Sequence, residues 1–266
     1  MTFQIHNFTD NDDITTIAQI GAFSVIEYAK DLSVDTASAQ RAFFESQMNV
    51  RRKQLVIGLQ GGAVMVQAGA MQWTAGRVSA NTGVKGAGDF IGKMFRGAVT
   101  GESAIKPEYS GTGLVVLEPT TRHILLQDLA QWGGGVVVED GMFLACDAGV
   151  EHKLIARSNL SSAVGGGEGL FNLGLFGSGV VALESAVPAA ELIAVDLNED
   201  ELHIDGPLAV AWSPSLQFTV ERSGRSLIGS MASGEGLVNV FRGTGRVLMS
   251  PVAATNLASA AAMSGE

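Results

Sequence analysis

Apolar positions come in short runs of three to five residues, each closed by glycine or a polar turn, and the order of runs recurs along the chain. Leu55-Val56-Ile57 leads through Gly61-Gly62 to Val64-Met65-Val66 and Gly69. Ile124-Leu125-Leu126 leads through Gly133-Gly134-Gly135 to Val136-Val137-Val138 and Gly141. Leu192-Ile193-Ala194-Val195 leads to Leu202-His203-Ile204 and Gly206, with the double glycine missing. Short apolar runs separated by turn signals predict an all-β protein of many strands. A glycine at the same place in each unit, 69, 141 and 206, predicts a turn or bulge that needs positive φ. Phe23–Tyr28 is a further candidate strand after a polar arm over the first twenty residues. Asp35–Met48 has helical texture, with an N-cap candidate at Asp35 and apolar residues at 39, 42 and 43, so one short N-terminal helix is expected.

The recurrence extends to a phrase written three times: Gly101-Glu102-Ser103, Gly167-Glu168-Gly169 and Gly234-Glu235-Gly236. Each copy is followed by a Gly-x-Gly step and an apolar run. The steps are Gly111 with Gly113, Gly177 with Gly179, and Gly243 with Gly245, and the intervals are 66 or 67 residues. One supersecondary unit used three times is the expected architecture: an N-terminal arm, strand and helix over 1–49, β-sandwich-like repeats over 50–119, 120–188 and 189–253, and a tail over 254–266. A β unit of this size has exposed edges and little core. Three such units in a pseudo-threefold arrangement would cover one another's edges and form one compact domain. The repeated glycines and glutamates are read as the structural motif of that unit, each Gly-x-Gly step leading into a strand.

Composition narrows the function classes. Of 266 residues, 46% are hydrophobic and 17% charged, and 34 glycines accompany 6 prolines. This favours a well-cored β protein with tight turns over a disordered chain. The net charge of −10 repels phosphate backbones, so nucleic acid is not an expected partner. The densest basic run, Arg51-Arg52-Lys53, reads as the solvated start of a strand. The start of the chain lacks the basic and apolar regions of a signal peptide, and no window is long and apolar enough to span a membrane; a cytoplasmic protein is expected. Cys146, the one cysteine, lies in a strand-like run and reads as a small buried hydrophobe.

Catalytic motifs are sought and not found. His6, His123, His152 and His203 form no local pair, so no metal is expected. No Gly-x-Ser-x-Gly elbow occurs, and each Gly-x-Gly step precedes a strand, the wrong setting for a dinucleotide. Glu102, Glu168 and Glu235 have two readings: a cation or proton site at the pseudo-threefold axis, or acceptors for backbone amides of the next unit. A residue repeated with the fold serves the fold, and unit one departs at Ser103 and at Lys106, where the others carry Asn172 and Asn239; the structural reading is preferred. Trp73, Trp132 and Trp212 occur once per unit and read as core or interface. Outside the repeat, Phe90, Ile91, Lys93, Met94 and Phe95 have helical spacing. They make either an amphipathic patch for a membrane surface or protein partner, or a cap on the β structure.

The Gly-Glu-Gly-Leu-Phe/Val-Asn phrases at 167–172 and 234–239, each followed by Gly-x-Gly and an apolar strand, resemble the altered-inheritance-of-mitochondria protein 24 family over about residues 50–253. The resemblance implies a fold like that of the tryptophan RNA-binding attenuation protein, tandemly triplicated. Mitochondrial members are linked to inner-membrane organisation; bacterial members have no established activity, and no catalytic residue carries over. No cofactor is expected. The expected role is a non-enzymatic, homo-oligomeric scaffold or binding protein. The alternatives are small-ligand or RNA binding by analogy with the attenuation protein, or an enzyme with an unrecognised acidic site.

Overall fold

The computed structural model describes residues 3–30, 33–82, 106–156, 171–206, 208–222 and 237–252. The Gly-Glu phrases, with Gly101, Glu102, Gly167, Glu168, Gly234 and Glu235, lie outside these residues. So does the patch at Phe90, Ile91, Lys93, Met94 and Phe95.

The chain is all-β with one α-helix, as its pattern predicts. Its elements are β1 (Ile14–Ile20), β2 (Phe23–Tyr28), α1 (Ala39–Gln47), β3 (Lys53–Val66), β4 (Met71–Asn81), β5 (Glu108–Leu117), β6 (His123–Asp128), β7 (Gly135–Val138), β8 (Phe143–Asp147), β9 (Glu151–Ala156), β10 (Phe171–Phe176), β11 (Val180–Ser185), β12 (Ile193–Asp205), β13 (Ala209–Trp212), β14 (Gln217–Arg222) and β15 (Leu237–Met249). One sheet runs β1-β2-β3-β8-β11-β6, with β5 pairing β3 and β4 pairing β5. The other runs β12-β15-β13-β7-β10-β9, with β14 also on β15. The first sheet curls until β1 lies against β6.

The paired strands of the described residues are antiparallel, and bends within the long strands let a few of them serve two neighbours. β3 shifts register between Gln60 and Gly62, where Gly61 has φ +81°. In the second unit the same place holds a 3-10 turn, Leu129–Trp132, ending in left-handed Gly133. In the third, which lacks glycine there, β12 still shifts register between Leu197 and Asp200, and Glu199 takes φ +53°. The bend is therefore kept where the residue type that signals it is lost, at the strain cost of a non-glycine residue in left-handed backbone. Gly69, Gly141 and Gly206 have φ of +81°, +74° and +72°, and each turns one strand into the next.

The Gly-x-Gly steps correct an expectation. As lead-ins to a strand, only Gly177 and Gly179 qualify, since they separate β10 from β11. Gly111 and Gly113 lie inside β5, and Gly243 and Gly245 lie inside β15. The physical reason is close approach rather than turning. A methyl group on Gly113 would meet the Ala75 carbonyl oxygen at 2.0 Å, and one on Gly245 the Ser213 side chain at 2.8 Å. On Gly179 it would meet the Asp147 carboxylate at 2.8 Å, the same carboxylate that accepts from the Val180 amide at 2.7 Å. The second glycine of each step thus makes room for the neighbouring chain.

Apolar alternation buries one face of each sheet. The core is held in clusters around Phe143, Leu175 and Leu183; around Phe23, Leu55 and Ile57; and around Trp212, Phe241 and Val247. A fourth, smaller cluster packs Phe8 of the N-terminal arm against Ile26, Val56 and Val116, with Phe8 edge-on to Trp73 at 5.3 Å. Two expectations about the N-terminus are corrected. The polar arm is shorter, because Ile14–Ile20 pairs with β2 in a hairpin; its polar Thr15, Thr16 and Gln19 mask the alternation. The helix starts at Ala39 rather than Asp35. Asp35 instead accepts from the Ala37 and Ser38 amides and the Ser38 hydroxyl, which closes a turn ahead of the helix.

Candidate functional site

Two interstrand pairings, β3 with β8 and β7 with β13, follow one pattern. Val64, Met65 and Val66 at the end of β3 pair with Asp147, Cys146 and Ala145 of β8. Val138 and Val137 at the end of β7 pair with Ala211 and Trp212 of β13. Val66 and Val138 each stand three residues before a turn glycine, Gly69 and Gly141. Ala145 stands four residues after Gly141 and Ala211 five after Gly206, the extra residue being taken up by a register shift between Ala209 and Ala211. Continuing the count, His203 precedes Gly206 by three and Trp73 follows Gly69 by four. His203 pairs with Val240 and Trp73 with Val116 on one side only; among the described residues the other edge of each strand has no ladder partner, since β12 pairs with β15 alone and β4 with β5 alone.

The two edges are built differently. On the outward face of β12, Glu201 and Arg242 of β15 stand opposite each other. Arg242 is also bonded by Glu221 of β14, at 2.6 and 3.1 Å, and His203 Nε2 lies 3.2 Å from Glu201. The Arg242 guanidinium holds the Glu221 carboxyl down at about 2. This ladder ties three strands together behind an acidic edge containing Asp200, Glu201 and Asp205. Its inward face carries Leu202 and the buried Ile204, which pack on the Trp212–Phe241 cluster. The β4 edge, Met71-Gln72-Trp73-Thr74-Ala75, is uncharged. Gln72 is fastened to β3 through Gln54 Nε2 at 2.8 Å, and Gln54 in turn donates to Leu117 O and bonds the Tyr28 hydroxyl.

No group of three metal-binding side chains forms among the described residues. One pair was not foreseen. The Cys146 thiol meets His152 Nε2 at 3.2 Å across the turn at residues 148–149 that carries the chain from β8 in one sheet to β9 in the other, and Phe143 stacks edge-on to the imidazole at 5.0 Å. No spacing rule in the sequence marks this pair, since the two strands flanking the turn belong to different sheets. Cysteine beside histidine is the arrangement of a thiolate nucleophile, but here the environment acts the other way. Burial, with Asp147 nearby, pushes the thiol up to about 12. Burial, then the Lys106 ammonium, pushes His152 down to about 4. Both groups are neutral at pH 7, so the pair is a hydrogen bond in the core. Asn172 and Asn239 each bridge strands: Asn239 Nδ2 donates to Gly206 O at 3.0 Å, and buried Asn172 reaches Val138 O and Glu139. Lys106, at the matching place in unit one, lies over the Phe143 ring at 4.4 Å instead.

This pair gives a pH prediction. The folded imidazole resists protonation, so between pH 6.5 and about 4 protons bind the unfolded chain more readily. Stability is complete above pH 6.5 and is expected to fall by roughly 2–3 kcal/mol through that window. In urea unfolding at pH 7 and pH 4.5, His152→Leu should lose most of the difference. An unchanged difference would place the effect elsewhere. Native Cys146 should also fail to react with a thiol reagent at pH 8 until the chain is unfolded.

Comparison with known proteins settles the family. Residues 44–252 match the family described as mitochondrial biogenesis AIM24. The chain belongs to that family. An uncharacterized protein from Streptococcus pyogenes serotype M6 is 31% identical over 195 residues, which covers 70% of this chain and 76% of the relative. The crystal structure of a Streptococcus pyogenes protein superposes with a TM-score of 0.59 at 27% identity, over 79% of this chain and 93% of that one. No helix among the described residues of this AIM24-family chain is long and apolar enough to cross a membrane.

Proposed function

We propose that this chain is a non-enzymatic, self-assembling scaffold built from three copies of one strand plan. In this reading, copies join head to tail by pairing the Asp200–Asp205 edge of one with the Met71–Ala75 edge of the next. The observation that carries it is the repeated junction: β3 with β8 and β7 with β13 use matching registers, and the two strand edges that a third such junction needs stand at opposite ends of the unit series. An open edge is a template for pairing with another chain, and a contact between two different edges generates rings or filaments. The acidic β12 edge facing the uncharged β4 edge disfavours pairing of like with like. Nucleic-acid binding has the net charge against it, and the resemblance to the attenuation protein bears on strand architecture alone.

Cross-linking tests the register. In the proposed pairing His203 lies opposite Trp73, and therefore Glu201 opposite Ala75. The variant Ala75→Cys with Glu201→Cys should form a covalent ladder of multimers on mild oxidation, and either single substitution should not. A fast-migrating monomer linked within itself, or no cross-link at all, would overturn head-to-tail assembly. Sedimentation of the unmodified chain should give a mass that rises with concentration above the 27.6 kDa of one copy.

A further inference from the structure

α1 buries none of its nine residues. Phe43 and Phe44 stay 59% and 58% exposed and Met48 78%, whereas a surface helix normally turns its apolar stripe into the core. Beside it runs a groove of about 430 Å³, walled by Ala39, Ala42 and Phe43 of the helix, Val34 and Val50 from its flanks, and the end of β2 at Tyr28 to Lys30. That volume is within the range of small-molecule sites. The same groove is lined by Lys30, Arg51 and Arg52, against one carboxylate, Glu45. Glu45 is already engaged by Arg41 at 2.6 Å. In a chain of net charge −10, three cations line one apolar groove, of which Lys30 is paired with Asp13 at 3.1 Å.

Arg51 is the most exacting of the three. Its Nη1 is 3.5 Å from Glu27, a long contact that Glu27 divides with Lys53. Its Nε is buried without a hydrogen-bond partner, which is costly for a charged donor. An anion that draws the guanidinium slightly outward would satisfy it, and the planar Nε–Nη2 edge suits the two oxygens of a carboxylate.

We propose that this groove binds a small amphiphilic carboxylate, a single acyl chain whose head group rests on Arg51 and Arg52 and whose chain lies along Phe43, Val34 and Val50. The observations favour this occupant over others. A membrane surface calls for cations spread over the polar face of the helix, and α1 carries only Arg41, tied to Glu45. This site is independent of the head-to-tail edges, which lie on β4 and β12.

Dodecanoate, kept below its micelle concentration, is the probe for titration calorimetry on the full chain. Saturable binding of one molecule per chain is expected. It should weaken at least tenfold in Arg51→Gln with Arg52→Gln, at least tenfold when dodecanol replaces dodecanoate, and several-fold in Phe43→Ser. Because Phe43 is exposed, that last variant stays folded even if the double substitution does not. No saturable binding, or binding that Phe43→Ser and the change to dodecanol both leave untouched, overturns the proposal. Sedimentation with phosphatidylglycerol vesicles in the absence of dodecanoate binding overturns it in favour of a membrane contact.

Discussion

Gly111→Ala is expected to cost about 3–5 kcal/mol, while Gly243→Ala, at the matching step of the third unit, costs about 1–2 kcal/mol. Both glycines hold left-handed φ, +127° and +116°, so both substitutions carry the strain of a side chain in that conformation. They differ in what a methyl group meets. At Gly111 it would sit 2.1 Å from the Arg77 carbonyl oxygen of β4; at Gly243 the nearest atom is Ser215 O at 3.8 Å. The first contact is relieved only by parting β4 from β5, which gives up ladder hydrogen bonds worth about 1 kcal/mol each. Urea unfolding of the two variants beside the parent measures the difference, and equal losses would mean that backbone strain alone sets the cost.

Phe241→Ala should destabilise by a comparable amount, about 3–5 kcal/mol. Phe241 is fully buried, and its ring lies 5.3 Å from Trp212 and 5.0 Å from Phe218, centroid to centroid. Removing it leaves a cavity between β15, β13 and β14 that rigid strands cannot close, and two aromatic contacts go with it. Trp212 emission should shift on the same substitution, since its packing partner is lost. Phe43→Ala is the control: an equally large deletion on exposed α1 is expected within about 0.5 kcal/mol of the parent. A similar cost at both sites would mean that α1 is packed in solution.

Much of this fold is legible because apolar runs and glycines carry it. Val136-Val137-Val138 can be little else than a buried strand, and Gly69, Gly141 and Gly206 announce their turns. What escapes has a physical reason in each case. Ile14–Ile20 is a strand on the strength of its hairpin partner, since threonine and glutamine dilute its own signal. Glu199 holds a bend that glycine marks in the other two units, so tertiary pairing overrides the local preference. Gly113 and Gly245 look like turn glycines in sequence, yet they sit mid-strand, because a missing side chain serves a tight neighbour as well as it serves a turn. The junction edges at Trp73 and His203 have no residue signature, because backbone edges are recognised by what fails to pair with them. Cys146 and His152 meet across the turn that crosses from one sheet to the other, and no spacing rule for metal or nucleophile describes them. The basic run at Arg51 to Lys53 reads in sequence as an ordinary solvated strand start; only the fold shows Lys53 to be 3% exposed and Arg51 and Arg52 to share a groove with an uncovered helix.

The central segment gives β6, β8 and β11 to one sheet and β7, β9 and β10 to the other. No cut between these strands yields a piece that keeps its neighbours, so the polypeptide behaves like interlaced fingers rather than beads on a string. Its maturation on the ribosome must wait: β3 finds β8 only after about eighty further residues have emerged, and the second sheet only begins to close when β13 arrives. A truncated chain ending near Val187 would present β7 as a raw edge, stripped of β13, and the cell would meet it as an aggregation hazard rather than a smaller working protein.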